Sequence, residues 1–267
     1  MTTFAIPRSA STTAEPSGRL AGMLFHQARA ELLKLIRAPD FVAGAVLLPA
    51  VLFLLFGARS IGSLLPDGTD IGPFIVAAFT AYGLLGVVLF TFGESLAVER
   101  GQGWLRLVRA TPLPGVVFLV GKLVAGLAIG VVVILVMAMV STAVGAGIDA
   151  VTWLRLGAVG LAGSLALAPI GFLIGFLVRP TAASAVALLL YLPLSFASGM
   201  WVPYRELPEA VQAFAPYLPT YHFAQLVQSV IGGGAPWDHV AWLAATFVAV
   251  GSLATIAYRR MVGRQFA

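Results

Sequence analysis

"VFLVGKLVAGLAIGVVVILVMAMVSTA", residues 117–143, decides the fold class: it runs for 27 residues with one charged side chain, Lys122, near its start. At ~1.5 Å per residue, a helix over this stretch reaches about 40 Å, more than the ~30 Å of hydrocarbon in a bilayer. It reads as a membrane span long enough to tilt or protrude, with Lys122 placed to snorkel to the interface. Working outward, five more apolar stretches approach the ~20 residues a span needs, at about 41–58, 74–93, 156–178, 181–200 and 240–258. Pro49, Pro169 and Pro193 fall inside spans, where neighbouring helices satisfy the freed carbonyls. Gly126/Gly130 and Gly171/Gly175 have the small-xxx-small spacing of close helix contacts, a weak signal in a chain with 29 glycines.

Composition agrees. Hydrophobic residues make up 60% of the 267-residue chain and charged residues 10%, with a mean hydropathy of +0.97. A soluble domain carries about 25% charged residues, so the reading is an all-α integral membrane protein with six transmembrane helices. The net charge of +5 does not point to nucleic acid, because the bases sit at the edges of apolar runs, where membrane lipids supply anionic head groups. With no cysteine there is no disulfide, thiolate metal site or cysteine nucleophile.

Residues 1–18, rich in Ser, Thr and Pro, read as a disordered tail without the apolar core of a signal peptide. "RLAGMLFHQARAELLKLIR", residues 19–37, places Leu20, Leu24, Phe25, Ala28, Leu32, Leu35 and Ile36 on one side of a helix and His26, Arg29, Lys34 and Arg37 on the other. Glu31 and Leu33 break the pattern. Such a basic amphipathic helix lies in the head-group plane; the alternative is a helix that prolongs the first span. The segment 19–260 is then one transmembrane domain, followed by a short tail, 261–267.

The charges orient the chain. With the amino terminus inside, 13 of the 16 Lys and Arg are cytoplasmic and only Arg59, Arg155 and Arg205 are external, whereas the 11 acids divide 5 to 6. That is the positive-inside pattern, so both termini and the loop 95–113 are expected in the cytoplasm, in a multi-pass protein of the cell membrane.

The residues also exclude functions. No charged residue or histidine lies near the middle of a span, which argues against ion coupling within the chain. The nearest approach to a phosphate-binding loop, "GVVFLVGKL" at 115–123, has the wrong glycine spacing and Leu123 where a hydroxyl belongs. His26, His222 and His239 are isolated in sequence, and no serine has a G-x-S-x-G setting, so no catalytic or metal site is assigned.

"ESLAVERGQGWLRLVRATPLPGVVFLVGKLVAGL", residues 94–127, resembles the type 2 ABC exporter permeases, in which an acid-Arg-x-x-Gly stretch leads to a Thr-Pro pair and then to Gly-Lys opening the third span. "FASGMWVPYRELPEAVQAFAPYLPTYHFAQLVQSVIGGG", residues 196–234, resembles the same family's segment between spans five and six, with its Gly-x-x-x-Pro, Leu-Pro and second proline cluster.

The resemblance implies a permease subunit that exports an amphipathic drug, a lipid or a lipid-linked glycan. It implies pairing with a second copy or a similar permease, and two copies of an ABC nucleotide-binding subunit below. This chain would be no enzyme and hold no cofactor, since ATP and Mg belong to the ATPase partner. By the same resemblance the loop between spans two and three is a cytoplasmic coupling helix. There Trp104, Leu105 and Val108 give an apolar anchor, Arg100, Arg106 and Arg109 a charged rim, and Glu99 sits at the helix's amino-terminal end. Residues 19–37, with Arg29, Lys34 and Arg37, resemble the family's interface helix, and Pro203, Leu207, Pro208, Val211, Phe214 and Pro219 belong to short external re-entrant helices. The rivals are a stand-alone membrane carrier, which needs a buried charge in a span, and a scaffold that moves no substrate.

Overall fold

The structure, a computed structural model, describes residues 16–37, 43–64, 70–103, 113–234 and 236–263. Among these the chain is helical, without a named strand. Helix α1 (Pro16–Ile36) is followed by α2 (Gly44–Ser60), α3 (Ile71–Gly101), α4 (Gly115–Ala143), α5 (Ala150–Leu177) and α6 (Pro180–Ala197). A short α7 (Glu209–Phe214), α8 (Pro219–Gly232) and α9 (Trp237–Gly263) complete the chain.

Five helices, α3, α4, α5, α6 and α9, are long and apolar enough to cross a membrane. At the first expected span the described residues hold the apolar helix α2, whose 17 residues cover about 26 Å at ~1.5 Å each. Its winding is uneven, with π-helical turns at Ala43–Leu47 and Phe53–Gly57 on either side of the segment that holds Pro49. Proline removes one N–H donor and crowds the preceding turn, and a widened turn accommodates both.

Local chemistry sets the helix ends. Asp149 starts α5 by accepting hydrogen bonds from the backbone N–H of Val151 (2.9 Å) and Thr152 (3.0 Å), the usual work of an N-cap carboxylate. Asp70 does the same for Gly72 at the start of α3 (2.8 Å). Helix α3 runs past the expected end of the second span to Gly101, and Gly103, at φ 77°, turns the chain away. Glu99 therefore lies in the last turn of a helix rather than at the start of one. The remaining predicted coupling residues, Trp104, Leu105, Arg106, Val108 and Arg109, lie outside the described residues.

Helix α3 is the centre of the bundle, with Val76 to Leu89 almost entirely buried. The glycine spacing has a structural purpose here. At Gly171 of α5 a Cβ would stand 2.4 Å from the Val88 carbonyl oxygen and 2.7 Å from Phe92 Cβ, and at Gly126 of α4 it would stand 2.4 Å from the Phe92 ring. Two helices, α4 and α5, thus close on one stretch of α3. Gly171→Ala gains ~1 kcal/mol of helix propensity but drives a methyl into backbone that cannot rotate aside, at a cost of about 1–3 kcal/mol. The variant is expected to melt at a lower temperature than the parent in detergent, and an unchanged or raised melting point would refute this packing.

The segment between α6 and α9 is broken by its prolines as the sequence suggests. A 3-10 turn at Tyr204–Glu206, α7 and a second 3-10 turn at Ala215–Tyr217 follow one another, and Pro219 opens α8. Leu207 is buried, Val211 and Pro203 are half-buried, and Phe214 and Pro208 are exposed. Helix α8 is the part the pattern underplays, because Phe223, Ala224, Leu226, Val227 and Gln228 are buried within the bundle.

Candidate functional site

Two features that sequence reasoning treats separately explain each other. Lys122 does not snorkel: it is 0% exposed, about two turns inside α4. Glu31, the acid on the wrong face of α1, is 3% exposed and faces it. The Lys122 Nζ lies 3.0 Å from Glu31 Oε2 and 2.8 Å from Glu99 Oε1. Lys34 Nζ bridges the same two carboxylates, at 2.6 Å from Glu31 Oε2 and in a short contact with Glu99 Oε1. Each ammonium thus joins both acids, in a closed, neutral ring of four charges.

Gln27 Nε2 donates to Glu31 (3.1 Å) and Ser95 Oγ donates to Glu99 (3.0 Å). Charges taken from water cost several kcal/mol each unless paired and hydrogen-bonded, so the ring is stable only as a set. For Lys34, burial pushes the ammonium pKa down, but Glu99 and Glu31 beside it outweigh that and leave the pKa above the usual lysine value.

The ring holds three elements together at one end of the bundle: α1, the last turn of α3 and the first turns of α4. Close approach makes this possible, since a Cβ on Gly121, next to Lys122, would stand 2.6 Å from Gln27 Cγ of α1. Arg100 adds a fourth element. Its guanidinium donates, in two short contacts, to the carbonyl oxygens of Phe176 and Val178, which end α5. Those carbonyls have no intrahelical partner, and a cation there also meets the negative end of the helix dipole.

Of the residues singled out in sequence, Glu99 is buried and Arg100 half-buried, Lys34 reaches Glu99 with its ammonium while its side chain stays 40% exposed, and Arg29 and Arg37 are exposed. Glu99 spends its carboxylate on the ring, with only Oε2 left unpartnered among the described residues. Glu31 and Lys122 belong to the site although sequence reading gives Glu31 no role and sends Lys122 to the interface. The available signal was a pair of opposite charges, each in a place where a lone charge is unfavourable. Among the described residues no group of three His, Cys, Asp or Glu is placed to hold a metal ion.

The profile of the ABC-2 family transporter proteins matches residues 66–256, from before α3 to near the end of α9. The chain belongs to the ABC-2 transporter family. It is also similar to the protein named "Putative transport permease YvfS" of Bacillus subtilis (strain 168), with 27% identity over 225 residues, 84% of this chain and 91% of that relative. This ABC-2 protein is therefore a transmembrane component of a transporter, with its charge ring at one end of an apolar bundle.

The opposite end of the ABC-2 bundle carries a second polar pair. His222 of α8 and His239 of α9 meet Nδ1 to Nδ1 at 2.9 Å, and His222 Nε2 lies 2.9 Å from the Pro216 carbonyl oxygen. A carbonyl only accepts, so His222 carries its proton on Nε2, and its Nδ1 accepts from the Nδ1–H of His239. The His222 ring stacks on Trp242 at 4.8 Å, and Asp238 is the nearby charge.

Burial holds His222 below the usual histidine pKa of ~6.5, against a smaller upward pull from the Pro216 bond and Asp238. A depressed histidine pKa favours the neutral ring in the fold. Its stabilisation is therefore present above ~pH 6.5 and lost as the pH falls below that. The melting temperature of the purified protein should drop between pH 7.5 and 5.5, and the drop should shrink in a His222→Gln, His239→Gln double variant. An equal drop in the double variant would assign the acid sensitivity elsewhere.

Proposed function

We propose that this chain is the permease subunit of an ATP-driven exporter, anchored in the cell membrane with both termini in the cytoplasm. Two copies of a nucleotide-binding subunit, carrying ATP and Mg, would dock beneath it, and a second copy or a similar permease would complete the pathway. The cargo class is an amphipathic drug, lipid or lipid-linked glycan.

The observation that carries this reading is the ring of Glu31, Lys34, Glu99 and Lys122, buried but for the outer side of Lys34. It ties the basic amphipathic helix α1 to the helix end that enters residues 99–110, the stretch that resembles a coupling helix. A push delivered to that stretch by a partner would reach α1, α3 and α4 together, because the ring's ion pairs link all three elements. Coupling needs such a rigid junction, which a scaffold does not.

The test is enzymatic. The chain purified alone should neither bind nor hydrolyse ATP, since it has no phosphate-binding loop. Co-expressed with its ATPase, it should be recovered as a complex that hydrolyses ATP. Hydrolysis by the isolated polypeptide, or an ATPase that never co-purifies, would overturn the assignment.

A further inference from the structure

A cavity of about 640 Å³ opens between α1, α2, α3 and α6 beside the charge ring. Its walls are mostly apolar, with Leu48, Phe90, Leu188 and Tyr191 among them, and its polar residues are Lys34, Glu94, Ser95, Glu99 and Gln102. The volume suits a small amphiphile, since ligand pockets run from ~300 to ~1,000 Å³.

The charge balance at this cavity says which kind. The ring is neutral, because Lys34 and Lys122 answer Glu31 and Glu99. Glu94 is then one carboxylate in excess. The Ser184 hydroxyl donates to its Oε1, but no Lys, Arg or His among the described residues pairs with it. Glu99 Oε2, in the same cavity wall, is buried without a hydrogen-bond partner among the described residues. Glu94 also closes a π-helical stretch, Val87–Glu94, that carries Phe90, and the Phe90 ring meets Tyr191 edge to face at 5.3 Å. Such wide turns are frequent at functional sites. Aromatic faces next to an uncompensated carboxylate favour a cation with an apolar body and repel a phosphate or pyrophosphate head group.

We propose that this cavity binds a monocationic amphiphile, with the Glu94 carboxylate as its counter-charge and Phe90 and Tyr191 against its apolar body. The proposal rests on the reading of the chain as a permease that moves substrate, and it selects among the cargo classes: a cationic drug-like molecule fits, whereas a lipid carrying an anionic pyrophosphate does not.

Tetraphenylphosphonium and tetraphenylborate have the same shape and opposite charge, so they separate the charge from the fit. Binding of radiolabelled tetraphenylphosphonium to the full-length chain in nanodiscs of neutral lipid should be saturable and should weaken by at least about tenfold in Glu94→Gln. Gln can still accept from Ser184, so the variant should keep its fold, and Glu94→Asp should retain binding within a few-fold. Leu188→Trp, which fills the cavity without changing charge, should also abolish it. Tetraphenylborate should not compete. Equal binding by the parent and Glu94→Gln, or equal affinity for the borate, would overturn the proposal. No ATPase is present in this assay, so loss of ATPase recovery would refute the permease reading and leave the binding result intact, and a failed binding test would leave ATPase coupling standing.

Discussion

Lys122→Met is expected to reduce sharply the amount of folded protein recovered from membranes. Its ammonium is fully buried between two carboxylates that are 3% and 6% exposed, and Lys34 alone cannot neutralise both. Removing one partner of a buried ionic set costs about 3–5 kcal/mol, because the other partners stay buried and uncompensated. A typical domain has only ~5–15 kcal/mol of stability in total.

The rescue is more telling than the loss. Lys122→Met combined with Glu31→Gln removes one charge of each sign, leaving Lys34 and Glu99 as a neutral pair. Replacing both partners of a buried pair is often close to neutral in stability, so abundance and melting temperature should largely return. Export should not return with them if the ring transmits force between α1, α3 and α4. A single variant that melts like the parent would show that the ring contributes no stability, and a double variant with full export would show that it transmits nothing.

The apolar runs were legible because the bilayer demands length and composition that a single sequence displays openly. Residues 117–143, 156–178 and 240–258 fall within α4, α5 and α9 to within a residue or so. Extents were less legible where no turn residue marks the boundary. No proline stands between Phe92 and Gly101, so α3 continues into the expected loop as far as Gly101, ahead of the positive φ of Gly103. Helix α2 is unevenly wound around Pro49, an effect that depends on neighbours rather than on hydropathy.

The site was half legible. Periodicity put Lys34 on the polar face of α1, yet its ammonium reaches inward, and flagged Glu31 as a misfit without saying what it meets. Sequence separation explains the gap: Lys122 lies 91 residues from Glu31, and only the close packing of α1 on Gly121 joins them. A single charge at the edge of a span has two readings, snorkelling outward or pairing inward. Hydropathy cannot choose between them, because it counts the charge and ignores the partner. The Glu94 carboxylate was invisible for a similar reason, since its lack of a basic partner is a property of the assembled bundle.

Trp104→Ala is expected to separate from Glu99→Ala, although both belong to the stretch that resembles a coupling helix. Glu99 is an internal residue whose carboxylate receives Lys34, Lys122 and Ser95, so its loss leaves two ammonium groups sharing Glu31 alone, with one positive charge uncompensated, and should lower membrane abundance even where no ATPase is expressed. Trp104 has the character of an interface anchor, a large aromatic in a basic surround of Arg106 and Arg109. Its truncation should leave abundance near that of the parent and weaken ATPase recovery by about 2 kcal/mol or more, roughly thirtyfold in affinity. Substrate export should fall in parallel, since docking fails before any stroke is delivered. The measurement compares, for each variant, membrane abundance with and without the ATPase subunit, recovery of that subunit on purification, and export. Normal ATPase recovery and normal export by a well-expressed Trp104→Ala protein would show that docking runs through another surface, with the exposed Arg29 and Arg37 of α1 the next residues to substitute.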